Sequence, residues 1–129
     1  MQIYYFTRTG RSWRIAEALA KKEGATALPI SDGKNWSGVW GYIRAGAVAM
    51  VGKALPATYK APAQDGPVMV VFPVWAGKLP PAVKTFAEEV GRQRITAIPT
   101  SLGSALTDRE GFAKVVDLIG KEIDPPQLP

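Results

Sequence analysis

The sequence contains no cysteine and no histidine. The first absence excludes disulfides, thiolate nucleophiles and thiolate metal sites. The second excludes an imidazole general base, a Ser-His-Asp triad and the usual zinc ligand sets. If such a chain does redox or transfer chemistry, a bound cofactor is expected to carry it. Long hydrophobic runs are missing too: the uncharged stretch 45–52 is bounded by Arg44 and Lys53, far short of the roughly 20 residues that a membrane span needs. No basic run exceeds the pair Lys21-Lys22, which argues against a dedicated nucleic-acid tail. There is no internal repeat, and the N-terminus enters a strand pattern with no leader, so the expected location is the cytoplasm.

What is present describes one folded unit. With 129 residues, 47% of them apolar, the expectation is a single domain over 1–129 with a proline-rich tail at 121–129. The formal net charge is +5, and its excess lies entirely in one half: residues 1–66 hold nine Lys/Arg against four Asp/Glu, residues 67–129 seven of each. A basic surface suits nucleic acid, acidic lipid, an acidic protein or an anionic small ligand, or is solvated charge with no partner.

The stretch around which the chain is organised is Thr7-Arg8-Thr9-Gly10-Arg11-Ser12, which follows the apolar strand Ile3-Tyr4-Tyr5-Phe6 and precedes a helical pattern at Ile15, Ala16, Leu19 and Ala20. Hydroxyl residues ahead of a helix serve either as plain N-caps or as anion ligands. A cap needs one of them. Here three hydroxyls, a glycine and two arginines share six positions, where a helix start offers unpaired N–H groups and roughly +0.5 charge to a phosphate. Gly24 is expected to end this helix, and a short second strand follows over 25–30, with Pro29 placing it at a sheet edge.

A helix is expected over 38–51, capped by Ser37. Val39, Tyr42, Ile43, Gly46 and Met50 line one face, Trp36, Trp40, Ala47 and Val51 another. A helix apolar on two sides contacts something on both: the core, and then a ligand, a second subunit or a membrane surface, with packing or self-association preferred. Gly46 and Gly52-Lys53 do not make a P-loop, because five residues separate the glycines and Ala54 stands where Ser or Thr is required. Residues 55–67 read as loop. Val68-Met69-Val70-Val71-Phe72 reads as the central parallel strand. The loop Pro73-Val74-Trp75-Ala76-Gly77-Lys78-Leu79-Pro80-Pro81 leads into a helix with core positions Val83, Phe86, Ala87 and Val90. A fourth strand over 94–100 runs into Ser101-Leu102-Gly103-Ser104. Thr107 and Glu110 then have capping-box spacing for a last helix with face Phe112, Val115, Val116 and Ile119. Alternating strands and helices imply a parallel sheet, with ligands outside the carboxyl ends of its strands, and the loops after strands one, three and four are the ones rich in Thr, Ser and Gly.

The hydroxyl-glycine turn, together with the proline-tryptophan-glycine loop and the following Pro80-Pro81-Ala82-Val83-Lys84-Thr85-Phe86, resembles the first two flavin-binding loops of flavodoxin-like proteins. Trp40-Gly41-Tyr42-Ile43-Arg44-Ala45-Gly46 is similar to a helix of one branch of that family. The resemblance implies an α/β three-layer sandwich with a parallel sheet of order 2-1-3-4, and FMN as cofactor. Its phosphate would lie on Thr7, Arg8, Thr9, Gly10, Arg11, Ser12 and Trp13. Trp75 would stack on the isoalloxazine, with Pro73 and Val74 leading into it and Ala76, Gly77 and Lys78 giving backbone groups to its polar edge. Gly77 would tolerate a peptide that reorients on reduction. Ser101 and Gly103 stand in the third loop, where many flavodoxins place a tyrosine, so the second flavin face is expected to be open or covered by Trp40 or Tyr42.

A fifth strand is not recognisable after Ile119, so the sheet is expected to stop at four strands, and pairing between subunits would protect its edge. The basic charge implies an acidic redox partner and a less negative second reduction potential than acidic flavodoxins show. Three functions fit: an electron carrier, an NAD(P)H-dependent quinone or flavin reductase, or an interaction module that no longer binds FMN.

Overall fold

The computed structural model describes residues 2–7, 10–31, 57–62, 66–101, 103 and 105–119. The helix expected over 38–51, with Trp36, Ser37, Trp40 and Tyr42, lies outside the described residues, as do Arg8, Thr9, Leu102, Ser104 and the tail 121–129.

Among the described residues six strands and two α-helices follow in order, β1 Gln2–Tyr5, α1 Arg11–Glu23, β2 Ala27–Pro29, β3 Val68–Pro73, α2 Pro81–Val90, β4 Ile95–Ser101, β5 Lys114–Val115 and β6 Leu118–Ile119. The sheet is parallel throughout, in the order β2-β1-β3-β4, with β5 and β6 both on the outer side of β4. The order 2-1-3-4 expected from the sequence is the order observed. β3 lies at its centre, every residue from Val68 to Phe72 buried, as a strand covered on both faces requires.

Successive residues of a strand point to opposite faces, and the two faces carry separate cores. Tyr4, Phe6, Val68, Val70 and Phe72 pack with Ala82, Val83, Phe86 and Ala87 of α2. Ile3, Met69, Val71 and Ile98 pack with Ile15, Ala16, Leu19 and Ala20 of α1. This is the three-layer sandwich. α1 stops at Gly24, which takes the left-handed conformation at φ 67° while its N–H bonds back to the carbonyls of Ala20 and Lys21. α2 opens on Pro81, whose missing N–H would have had no helical acceptor.

The end of the chain differs from the expectation. Residues 105–119 form no helix; they supply two short strands that extend the sheet along β4, pairing Thr96 with Lys114, Ala97 with Val115, Thr100 with Leu118 and Ser101 with Ile119. A fifth strand position is therefore filled, by two fragments. Three local features account for the departure. The Thr107 N–H is spent on the Gly77 carbonyl, Gly111 sits at φ 85°, and the Ala113 N–H bonds to the carbonyls of Arg92 and Ile95. Arg92 organises the segment, forking onto both carboxylate oxygens of Asp108 at 2.8 Å, donating to the Glu110 carbonyl and lying over the Phe112 ring.

Candidate functional site

The carboxyl ends of β1, β3 and β4 bring three loops to one edge of the sheet. Phe6 donates its N–H to the carbonyl of Val71, and Val74 donates to the carbonyl of Thr100, so the chain leaves β1 and β3 still tied to its neighbours. Ser12 is 1% exposed; its hydroxyl lies 3.2 Å from that of Thr100, which donates in turn to the Phe72 carbonyl. Arg11 reaches across from α1 and donates from Nη2 to the Ser101 carbonyl at 3.3 Å. The three loops, after β1, β3 and β4, are thus cross-linked by polar groups at their bases.

The first loop is built for a helix start without a side-chain cap. Gly10 is the N-cap residue, at φ 93° where glycine is favoured, and a Cβ built on it would meet nothing within 4 Å. Its N–H is taken by the Thr7 hydroxyl oxygen at 2.8 Å, and its carbonyl accepts the first helical bond, from Arg14. The N–H groups of the first turn have no intrahelical acceptor. The macrodipole favours acidic residues there, yet the first turn of α1 has none and begins instead with Arg11, with Arg14 one turn on. Burial, and then the like charge of Arg14, pushes the Arg11 guanidinium below its ordinary pKa. Positive potential is concentrated at this helix start with no acidic residue in its first turn to offset it.

The second loop is a tight turn. Trp75 and Lys78 exchange two backbone hydrogen bonds of 2.9 Å, with Ala76 at φ 52° and Gly77 at φ 77° between them. Thr107 donates to the Gly77 carbonyl from its N–H at 2.7 Å and from its hydroxyl at 2.8 Å.

The expected site residues divide accordingly. Thr7, Gly10, Val74, Ala76, Gly77 and Lys78 lie on these loops, Arg11 and Trp13 in the first turn of α1, Pro73 and Ser101 at the ends of β3 and β4, and Gly103 is exposed beyond Ser101. Ser12 turns its hydroxyl inward. Trp75 is 5% exposed and meets the Phe6 ring edge-on at 5.4 Å between centroids, so stacking of a flavin on it would require the ring to leave this position. Among the described residues the large aromatic open to solvent is Trp13, 45% exposed. Neither Thr100 nor Thr107 is expected at the site from the sequence. A hydroxyl ending a buried strand was the available signal for Thr100; for Thr107 the capping-box spacing pointed the wrong way.

Among the described residues, no helix is long and apolar enough to cross a membrane, and no group of acidic residues has the form of a metal site. No protein-family model matches the chain, and no curated protein sequence matches it. Solved structures do. A flavoprotein from Lactobacillus acidophilus NCFM, crystallised in complex with FMN, is 14% identical with a TM-score of 0.65, over 92% of this chain and 90% of that one. A candidate flavoprotein from Bacteroides uniformis is 22% identical with a TM-score of 0.69, over 94% of this chain and 90% of that one. A second, from Bacteroides eggerthii, is 22% identical with a TM-score of 0.64, over 93% and 85%. The fold of this chain is the fold of those proteins.

Proposed function

We propose that this protein binds FMN at the carboxyl edge of its sheet and passes electrons between partners. The observation that carries the reading is the cationic start of α1, uncapped and without an acidic residue in its first turn, beside the Trp75–Lys78 turn. A phosphate satisfies the first-turn N–H groups and the positive charge together. A structural neighbour with FMN bound supports the same ligand class.

In this reading the phosphate is held by the Thr7 hydroxyl, the N–H groups of Arg11, Ser12 and Trp13, and the charge of Arg8, Arg11 and Arg14, with Thr9 and Gly10 completing the turn. The flavin's polar edge would take the backbone groups left at the tip of the second loop, the Ala76 carbonyl and the Gly77 N–H, with Lys78 closing that turn through its two bonds to Trp75 and Ser101 and Gly103 lying in the third loop. The buried hydroxyl of Ser12 and the ring of Trp75 act behind the site: one fixes the base of the phosphate turn to β4, the other fills the core under the 75–78 turn. FMN, when bound, supplies reversible electron transfer, which the side chains of a protein lacking Cys and His do not offer.

The basic surface fits an acidic redox partner, in the cytoplasm. Self-association would use either the helix expected over 38–51 or the outer edge of the sheet, which lies at β5 and β6 and not at β4. A second reading, an NAD(P)H-dependent quinone or flavin reductase, draws on the exposed Gly103 and the small residues of its loop, which put no aromatic ring of that loop over the flavin. The test is a visible spectrum of the purified protein with added FMN. Flavin bands with quenched fluorescence are expected. A protein that stays colourless supports an interaction module instead. Steady NADPH oxidation with a quinone selects the reductase over the carrier.

A further inference from the structure

The first turn of α1 and the end of β4 are joined twice, by consecutive residues on each side. Ser12 meets Thr100 hydroxyl to hydroxyl at 3.2 Å, and Arg11 donates from Nη2 to the Ser101 carbonyl at 3.3 Å. The first joint lies inside the protein, where Ser12 is 1% and Thr100 2% exposed. The second stands at the rim, on the last residue of β4, from which the third loop departs.

Packing decides where Arg11 starts and what it reaches. Arg11 heads the row Arg11-Ile15-Leu19, at the i, i+4 spacing of one helix face, and Ile15 and Leu19 are buried with Ile3, Met69, Val71 and Ile98. The helix holds the Arg11 backbone over the sheet, and the long stem carries the guanidinium to the strand end. On the other side, the Thr100 carbonyl accepts from the Val74 N–H, so β3 ties β4 as far as Thr100. Successive carbonyls of a strand point to opposite sides; that of Ser101 is directed away from β3, as is that of Ala97, which accepts from Val116. There Ser101 pairs with Ile119, the end of a strand of two residues and itself 48% exposed. So short a strand is a weak hold for the residue on which the third loop turns. A donor that carries charge makes the stronger hydrogen bond, and Arg11 supplies it.

We propose that Arg11 acts beyond its charge, as a positioning residue: it ties the start of the third loop to the first turn of α1, and so sets the spacing between the phosphate turn and the third loop for a flavin lying between them. The flavin clause rests on the FMN reading; the tie between Arg11 and Ser101 does not.

The experiment uses the full chain, first without ligand. Arg11→Met keeps the apolar stem and loses the donor, and Arg11→Gln loses the reach. Amide hydrogen exchange at Ser101 is expected to be about fivefold faster in both variants, the worth of one hydrogen bond, with larger backbone motion at Gly103 by NMR relaxation. Arg11 is partly exposed, so folded variants are expected, and unchanged exchange at Val70 verifies them. Ser101 and Gly103 behaving in both variants as in the wild type overturns the tie. Titrations with riboflavin and with FMN follow. Riboflavin has no phosphate for Arg11 to attract, so its affinity reads the positioning alone: an untied loop must be ordered at the expense of binding. Arg11→Met is expected to bind riboflavin about fivefold more weakly, and FMN more weakly by at least that factor. Unchanged riboflavin affinity overturns the flavin clause, whether or not FMN affinity falls, as does a wild type that takes FMN but no riboflavin. Failure of every form to bind either flavin removes that clause with the reading beneath it, and leaves the Ser101 amide data to decide the tie.

Discussion

The hydroxyls of Ser12 and Thr100 lie 3.2 Å apart, 88 residues separated in sequence, and join the start of α1 to the end of β4 inside the protein. Since Thr100 donates to the Phe72 carbonyl, the proton between the two hydroxyls comes from Ser12. Ser12 therefore has no proton left for a phosphate. Ser12→Ala is expected to lower stability by about 1 kcal/mol, the ordinary worth of one buried hydrogen bond, with little change in FMN affinity. Urea denaturation and FMN titration check this. A large loss of affinity at unchanged stability would show that the hydroxyl faces the ligand.

Arg14→Glu separates helix from ligand. An acidic residue near the start of α1 suits the macrodipole, so stability is expected to rise by about 0.3–1 kcal/mol. FMN affinity is expected to fall about tenfold or more, because a favourable charge becomes a repulsive one near the phosphate. Stability and affinity then move in opposite directions. A variant that loses both would place Arg14 in the structure rather than at an anion site.

On the α2 face, the Tyr59 phenol donates to Glu89 Oε1 at 2.6 Å. Burial, then the hydrogen bond and charge of Glu89, push Tyr59 up to about 12. Between its ordinary value of 10.0 and about 12 the folded protein keeps a proton that the unfolded chain has lost. The contribution is complete below the lower value and disappears as pH rises through the upper one. Tyr4 and Tyr5 are raised in the same direction, chiefly by burial, so Tyr59→Phe is expected to make the alkaline fall in stability shallower without abolishing it. Denaturation midpoints across the alkaline range read the difference, and an identical slope in the variant would contradict it.

Arg92→Lys keeps the charge and loses the planar fork that grips Asp108 and reaches the Glu110 carbonyl. Both partners are partly exposed, so the expected cost is about 1 kcal/mol. Faster amide exchange at Ala113 and Val116 is expected, since these N–H groups bind β5 and its flank to β4 and its neighbours. The hydrogen bond from Arg92, above all, holds the Asp108 carboxyl below its ordinary 3.8. That stability is present above the unfolded value and is lost as pH falls through the lower folded one. Arg92→Lys should therefore also flatten the acid limb.

Most of the sheet was legible because its signals are local. The run Val68 to Phe72, the stripe Ile15, Ala16, Leu19 and Ala20, the stop at Gly24 and the start at Pro81 each depend on near neighbours. The end of the chain was not legible, because long-range contacts decide it. Thr107 and Glu110 have the spacing of a capping box, and Phe112, Val115, Val116 and Ile119 fit a helix face. What prevails is the open edge of β4, whose N–H and C=O groups need partners, together with Arg92 and the Gly77 carbonyl. Val115 and Val116 then join opposite cores, the period of a strand. The same limit applies at the site. The dense hydroxyl-glycine turn could be read from six adjacent residues, but the inward course of Ser12 and the burial of Trp75 depend on Thr100 and Phe6, which adjacency does not disclose.

If the 7–12 turn and the start of α1 hold the phosphate of a flavin, as we propose, removing that phosphate removes most of the affinity. Parallel titrations of the purified protein with FMN and with riboflavin, followed by quenching of flavin fluorescence, test it most directly. FMN is expected to bind with strong quenching and riboflavin at least about a hundredfold more weakly, a difference of some 2.7 kcal/mol for the phosphate. Equal affinity for the two, or quenching by neither, would rule out a flavin phosphate at this turn.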